Sequence, residues 1–190
     1  MSEYKYDIAI SLCKEDIDFA RELCKELNPK LQVFFYEDRQ EDLISNLGPE
    51  KFGNVFKYEA RVVVILHRKS WGESYYTEIE KSAIIDRTGI PKEGQGFIIL
   101  IPLENGESPS WYPTSRIYAS PFRFSPSDLA KFIEFKVTDR GGTVSPLTFE
   151  DKVDIFQTRL SERKQAIAYL QGQGSLKRIN RITIGIYRNI

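Results

Sequence analysis

Cysteine and histidine are nearly missing from this 190-residue chain: there are two cysteines, Cys13 and Cys24, and one histidine, His67. They stand in no metal-ligand spacing, so a zinc site built from Cys and His is excluded. A catalytic triad would have to use His67 as its base. The cysteines read as small, partly buried core thiols in a reducing compartment. An excess of charge of either sign is also absent, because 27 basic and 27 acidic side chains cancel. A whole-chain electrostatic grip on nucleic acid is therefore not indicated. The basic exception is the tail 175–190, with Lys177, Arg178, Arg181 and Arg188. No apolar run approaches the roughly 18 residues of a membrane span. The start, MSEYKYD, lacks the charged-then-apolar pattern of a signal peptide. Together these absences predict a cytoplasmic protein that does not engage a membrane. No G-x-G-x-x-G follows the first apolar run, which argues against a Rossmann dinucleotide site.

What is present suits one packed domain with an appendage: 41% hydrophobic and 28% charged residues. Apolar runs at 6–11 (YDIAIS), 31–36 (LQVFFY), 61–66 (RVVVIL) and 97–102 (FIILIP) read as strands. The last is apolar on both faces, as a central parallel strand should be. Ile17, Phe19, Ala20, Leu23, Cys24 and Leu27 follow helical spacing within 15–27, and Asn28-Pro29 stops that helix. Gly48-Pro49 opens a helix over 50–59, another spans 74–87, and Pro126-Ser127-Asp128 caps one reaching Val137. Ile117-Tyr118 is the expected position of a weak fifth strand at the sheet edge. Strand and helix alternating at this pace imply a parallel α/β sheet with helices on both faces. After Asp139-Arg140-Gly141-Gly142 the pattern changes. A longer amphipathic helix is predicted over 148–170, with Val153, Phe156, Leu160, Ile167 and Leu170 as its apolar stripe, and then a strand at 182–187. The chain thus divides into a domain at 1–140 and an extension at 141–190.

Candidate chemistry concentrates in YYTEIEKSAI, residues 75–84. Tyr76 and Glu80 lie four positions apart and share a helix face, whereas Glu78 points elsewhere. That face follows the strand 61–66, where open α/β sheets bind ligands. Ser11 ends the first strand, and its hydroxyl and the N–H groups beginning at Leu12 are placed to meet phosphate or ribose. Tyr36 ends the second strand and opens an acidic loop whose Asp38, Arg39 and Leu43 are candidates to gate a site. Plainer readings stand beside these: Glu80 as a solvated helix carboxylate, Ser11 as a turn residue, Phe34 to Tyr36 as core, and His67 as structural.

The order of these segments resembles a known family. YDIAIS resembles the first box of Toll/interleukin-1 receptor (TIR) domains. ARVVVILHRKSWGESYYTEIEKSA is similar to the bacterial TIR pattern of an A-R strand followed by a W-T-x-x-E helix start. Residues 76–80 occupy that pattern, with tyrosine in place of tryptophan. GFIILIPLENGESPSWYPTSRIYASPF is similar to the later strand, charged loop and proline-containing approach to a final strand. The resemblance covers about Tyr6 to Val137. It departs at the loop EDRQEDLISNL and at Leu12-Cys13, where an arginine sometimes follows the first box. It implies a flavodoxin-like five-stranded parallel sheet of order 2-1-3-4-5, here followed by a C-terminal helical extension. It further implies cleavage of the nicotinamide–ribose bond of NAD, giving ADP-ribose or a cyclic or conjugated ADP-ribose signal in bacterial anti-phage defence. NAD would be the substrate, with no cofactor or metal, and the catalytic glutamate of the pattern falls on Glu80. Tyr76 would pack on the ribose or a base, and Tyr36 would wall the nicotinamide side. The implied partners are further copies, through TIR–TIR contacts, and an effector or sensor protein. Two other classes fit the same residues: a non-catalytic TIR interaction module, and an enzyme similar to the nucleoside deoxyribosyltransferases, which also use a glutamate.

Overall fold

The computed structural model describes residues 4–39, 48–104, 108–113 and 121–172. They fall into two units that divide between Pro146 and Leu147. In the first unit the four strongest apolar runs become strands β1 (Tyr6–Ser11), β2 (Val33–Phe34), β3 (Ala60–His67) and β4 (Ile98–Pro102). All pairings are parallel, and the order is β2-β1-β3-β4. Parallel neighbours need crossovers, and helices supply them on both faces. Side chains of β3 therefore alternate between two apolar layers. Val62, Val64 and Leu66 join Ile8 and Ile10 under α1 (Ile17–Leu27) and α4 (Pro126–Asp139). Val63 and Ile65 join Ala9 under α2 (Pro49–Asn54) and α3 (Tyr75–Thr88).

Among the described residues the sheet has four strands where the sequence predicts five; the expected fifth, Ile117-Tyr118, lies outside the described residues. The second strand is shorter than its apolar run. Leu31 still donates its N–H to the Leu27 carbonyl at the end of α1, and Tyr36 already begins a 3-10 turn, Tyr36–Arg39, so only Val33 and Phe34 pair with β1. The helix expected at 50–59 is α-helical only to Asn54 and then widens into a π turn, Val55–Glu59. Gly53 lets α2 approach α3 closely: a Cβ there would lie 3.3 Å from an Ile79 methyl.

Helix α3 is fixed at both ends. Ser74 Oγ accepts the Thr77 N–H while Thr77 Oγ1 accepts the Ser74 N–H, a reciprocal capping box. At the other end Arg87 is buried, donating to the carbonyls of Phe56 and Ala60 and to Glu93. Its guanidinium also lies 4.0 Å from the Phe97 ring centroid. These contacts tie α3 to the start of β3, so the helix register relative to the sheet is set.

In the second unit α5 (Phe149–Gly172) begins where Thr148 and Asp151 bond reciprocally, close to the predicted 148–170. Phe156, Leu160 and Ile167 of its predicted stripe are exposed. The expected strand at 182–187 and the basic tail lie outside the described residues. Among the described residues no helix is long and apolar enough to cross a membrane.

Ser74→Ala removes the acceptor of the capping box, and urea denaturation is expected to show a loss of about 1 kcal/mol of stability. Ser74→Asp, which keeps the acceptor, is expected to retain most of it.

Candidate functional site

Residues just beyond the carboxyl ends of β1, β2 and β3 enclose a cleft of about 470 Å³. After β1 come Leu12, Lys14 and Ile17; after β2, Tyr36 and Glu37. Phe52 projects from α2, and Ser74, Tyr76, Thr77 and Glu80 come from the first turns of α3. This is where a parallel sheet leaves a crevice, because the chain departs from successive strand ends toward helices.

Glu80 is the unusual member. Only 3% of it is exposed, and its partner is a hydroxyl: Ser11 donates to Glu80 Oε2. Behind Ser11, the buried indole of Trp71 donates Nε1–H to Ser11 Oγ at 2.8 Å. Burial penalises the charged form and pushes the Glu80 carboxyl up to about 8, although the Ser11 hydrogen bond pulls the other way. At neutral pH this favours the protonated form of Glu80.

The walls are aromatic. Tyr76 is 62% exposed, with its ring 5.9 Å from Phe52 and 5.4 Å from Tyr75. Tyr36 is half-buried, and burial, then the nearby Glu37 and Glu80 charges, raise its phenol above the ordinary value. The turn between β3 and α3 that carries Trp71 is braced from both sides. Arg68 bonds Asp16 at 2.6 Å and Glu104 at 3.1 Å, the Trp71 N–H reaches the Arg68 carbonyl, and Gly72 takes the left-handed conformation at φ +88°.

The two residues that share a face in the sequence, Tyr76 and Glu80, both reach the cleft, while Glu78 is exposed and is not among its lining residues. Leu12 and Tyr36 line it too. Ser11 sits differently from its sequence expectation: with 0% exposure it lies behind Glu80, so its hydroxyl serves the carboxyl. Asp38 falls in the 3-10 turn that Tyr36 begins, and Leu43 lies outside the described residues. His67 is buried at the end of β3, its ring 6.0 Å from that of Trp71. Sequence pattern gives no role to Phe52, Lys14 or Trp71. For Trp71 the one available signal is chemical: a buried indole N–H needs an acceptor.

A second, more polar cavity of about 680 Å³ lies at the amino end of the strands, beside Lys5, Lys30 and Arg61. Its basic groups already face carboxylates, Lys5 with Glu59, Lys30 with Glu134 and Arg61 with Asp7, which makes it the weaker candidate. Among the described residues no group of three or more His, Cys, Asp and Glu side chains is arranged to hold a metal ion.

A carboxyl held near neutrality can act as an acid or a base, or become a carboxylate when a cation arrives. Its elevated midpoint also makes stability depend on pH. Between 4.5, the ordinary value, and about 8 the folded protein keeps a proton that the unfolded chain has lost. Stability should therefore fall as pH rises through that window and level off above it. Glu80→Gln should flatten this slope and be more stable than the parent at pH 8.5; equal pH dependence of the two in urea denaturation would refute the assignment.

In comparisons with known proteins, no family model and no curated sequence matches this chain, which leaves the geometry of the cleft to carry the functional argument.

Proposed function

We propose that the cleft cleaves the nicotinamide–ribose bond of NAD, as the resemblance to TIR domains implies, with Glu80 as the catalytic carboxylate. The observation that carries this reading is a buried glutamate in a cleft that two tyrosines also line, at the carboxyl ends of a parallel sheet. The order β2-β1-β3-β4 supports the finer fold, a flavodoxin-like five-stranded sheet.

The chemistry asks little of a general acid, because the nicotinamide leaving group is already cationic. As the bond from ribose C1′ to the pyridinium nitrogen breaks, its electron pair neutralises that nitrogen and the ribose gains oxocarbenium character. A carboxylate beside C1′ stabilises the positive charge and accepts hydrogen bonds from the ribose hydroxyls. Water, or a hydroxyl or amine nucleophile, then adds to C1′ and sheds a proton, giving ADP-ribose or a cyclic or conjugated product. The pyridinium brings the charge that turns Glu80 into a carboxylate, since a nearby cation favours the ionised form. Tyr36 and Tyr76 provide flat surfaces for nicotinamide and ribose. Lys14, exposed beside the cleft, is a cation available to the diphosphate.

The wider reading is a bacterial defence enzyme of nucleotide signalling that works as an assembly of copies. A non-catalytic interaction module is the second reading, favoured by the aromatic side chains of Phe132 and Phe135, exposed on α4.

Incubating the purified protein at high concentration with NAD should release nicotinamide. Glu80→Ala should lower the rate by roughly 100-fold or more, the scale of losing a charge-stabilising group. Glu78→Ala should leave it within about twofold. Because the free site holds a proton up to about 8, kcat/KM should rise with pH to a midpoint near that value. The midpoint for kcat should lie lower, since bound NAD favours the ionised form. No turnover in any oligomeric state, with self-association retained, would favour the interaction module. Activity on deoxynucleosides instead of NAD would point to a deoxyribosyltransferase.

A further inference from the structure

Trp71 lines no part of the cleft, yet its indole is the end of a hydrogen-bonded chain that terminates on the buried carboxyl. The chain has a direction. An indole N–H can only donate, so Ser11 Oγ must accept from it. The hydroxyl proton is then free for Glu80 Oε2, which lies within hydrogen-bond reach. Each donor polarises the next, so Trp71 makes Ser11 a better donor to a carboxylate. It also occupies one of the two lone pairs through which Ser11 could accept a proton from the neutral acid.

Little allows the indole to turn away. The ring lies 6.0 Å from His67 and 6.3 Å from Trp111, and it is 97% buried, being 3% exposed. Its backbone is held by the Arg68 carbonyl, followed by the left-handed Gly72.

We propose that Trp71 is a positioning residue that acts through Ser11 to bias Glu80 toward its ionised, catalytically useful form. The proposal rests on Glu80 being the working carboxyl of the cleft. Other titratable groups around this chain are His67 against the Trp71 ring, Tyr36 and Glu37 after β2, Lys14 after β1, and Tyr76 on α3. None of them stands between Trp71 and Glu80, because Ser11 bonds both directly.

Trp71→Phe keeps a ring in the core and removes only the N–H and part of the indole. Carboxyl NMR is expected to show the Glu80 midpoint rising by about half to one pH unit, the size of one hydrogen bond. Turnover of NAD at pH 7 should then fall by roughly 3–10-fold, through the smaller ionised fraction, and recover at alkaline pH. A merely structural role would lower activity at every pH. Ser11→Ala should raise the midpoint as well, and adding Trp71→Phe to it should have no further effect, because the link is already cut.

Should Trp71→Phe not fold, the parent protein still decides the question: the indole N–H resonance of Trp71 should shift with the titration of Glu80. An unchanged Glu80 midpoint in a folded Trp71→Phe, or an indole signal indifferent to that titration, would overturn the proposal. These NMR readings need no turnover. If the parent cleaves no NAD while the coupling is seen, the catalytic reading fails and the coupling stands. If NAD is cleaved but no coupling is seen, the reverse holds.

Discussion

The hydrogen bond from Ser11 to Glu80 joins residues 69 positions apart and closes the carboxyl end of the sheet. A carboxyl out of water is tolerated only when it is neutral or well bonded, and here its partner is a serine hydroxyl rather than a cation. Surrounding elements serve that placement. Strand β1 delivers Ser11 at its last position, the braced turn after β3 brings Trp71 behind it, and the capping box starts α3 so that Glu80 falls on the second helical turn. Arg87 holds the far end of the same helix against the start of β3. A shift of α3 by one residue would rotate Glu80 about 100° away from Ser11, following the 3.6-residue period.

The same constraint bears on the occupant proposed for the cleft. The cleft combines a buried carboxyl and tyrosine walls with one lysine, Lys14, and a second acid, Glu37, which Arg21 holds from outside. Under the proposed NAD reading, the cationic nicotinamide ring would meet the Glu80 carboxyl and the diphosphate would meet Lys14. Binding of such a cationic occupant and ionisation of Glu80 would then be coupled, because the charge on the occupant makes the carboxylate favourable. A buried acid without a cationic partner lowers stability above its ordinary titration range, and such local disadvantages recur where function requires them.

Much of the scaffold was legible because its signals are local. The apolar runs of β1, β3 and β4, the helical spacing of α1 and the breaks at Asn28-Pro29 and Gly48-Pro49 depend on neighbours in sequence, and they match the structure closely. The pairing of Tyr76 with Glu80 was equally legible, since a four-residue spacing puts side chains on one helix face. The ends of β2 and α2 were not, because they are set by packing. Leu31 is retained by the end of α1, and the chain after Asn54 must turn to enter β3. Trp71 carried no signal of position at all, for it belongs to a turn whose path depends on Arg68 bridging two distant acids.

The sequence by itself therefore determined a parallel α/β domain, a separate helical extension and one helix face bearing an aromatic and an acid, all from periodicity and turn chemistry. Only the tertiary structure decided that this acid is buried, that Ser11 faces it instead of solvent, and that an indole stands behind both. The reason is physical. Periodicity says which side of an element is apolar, whereas the charge state of a carboxyl depends on water excluded and hydrogen bonds received, and those come from residues far away along the chain.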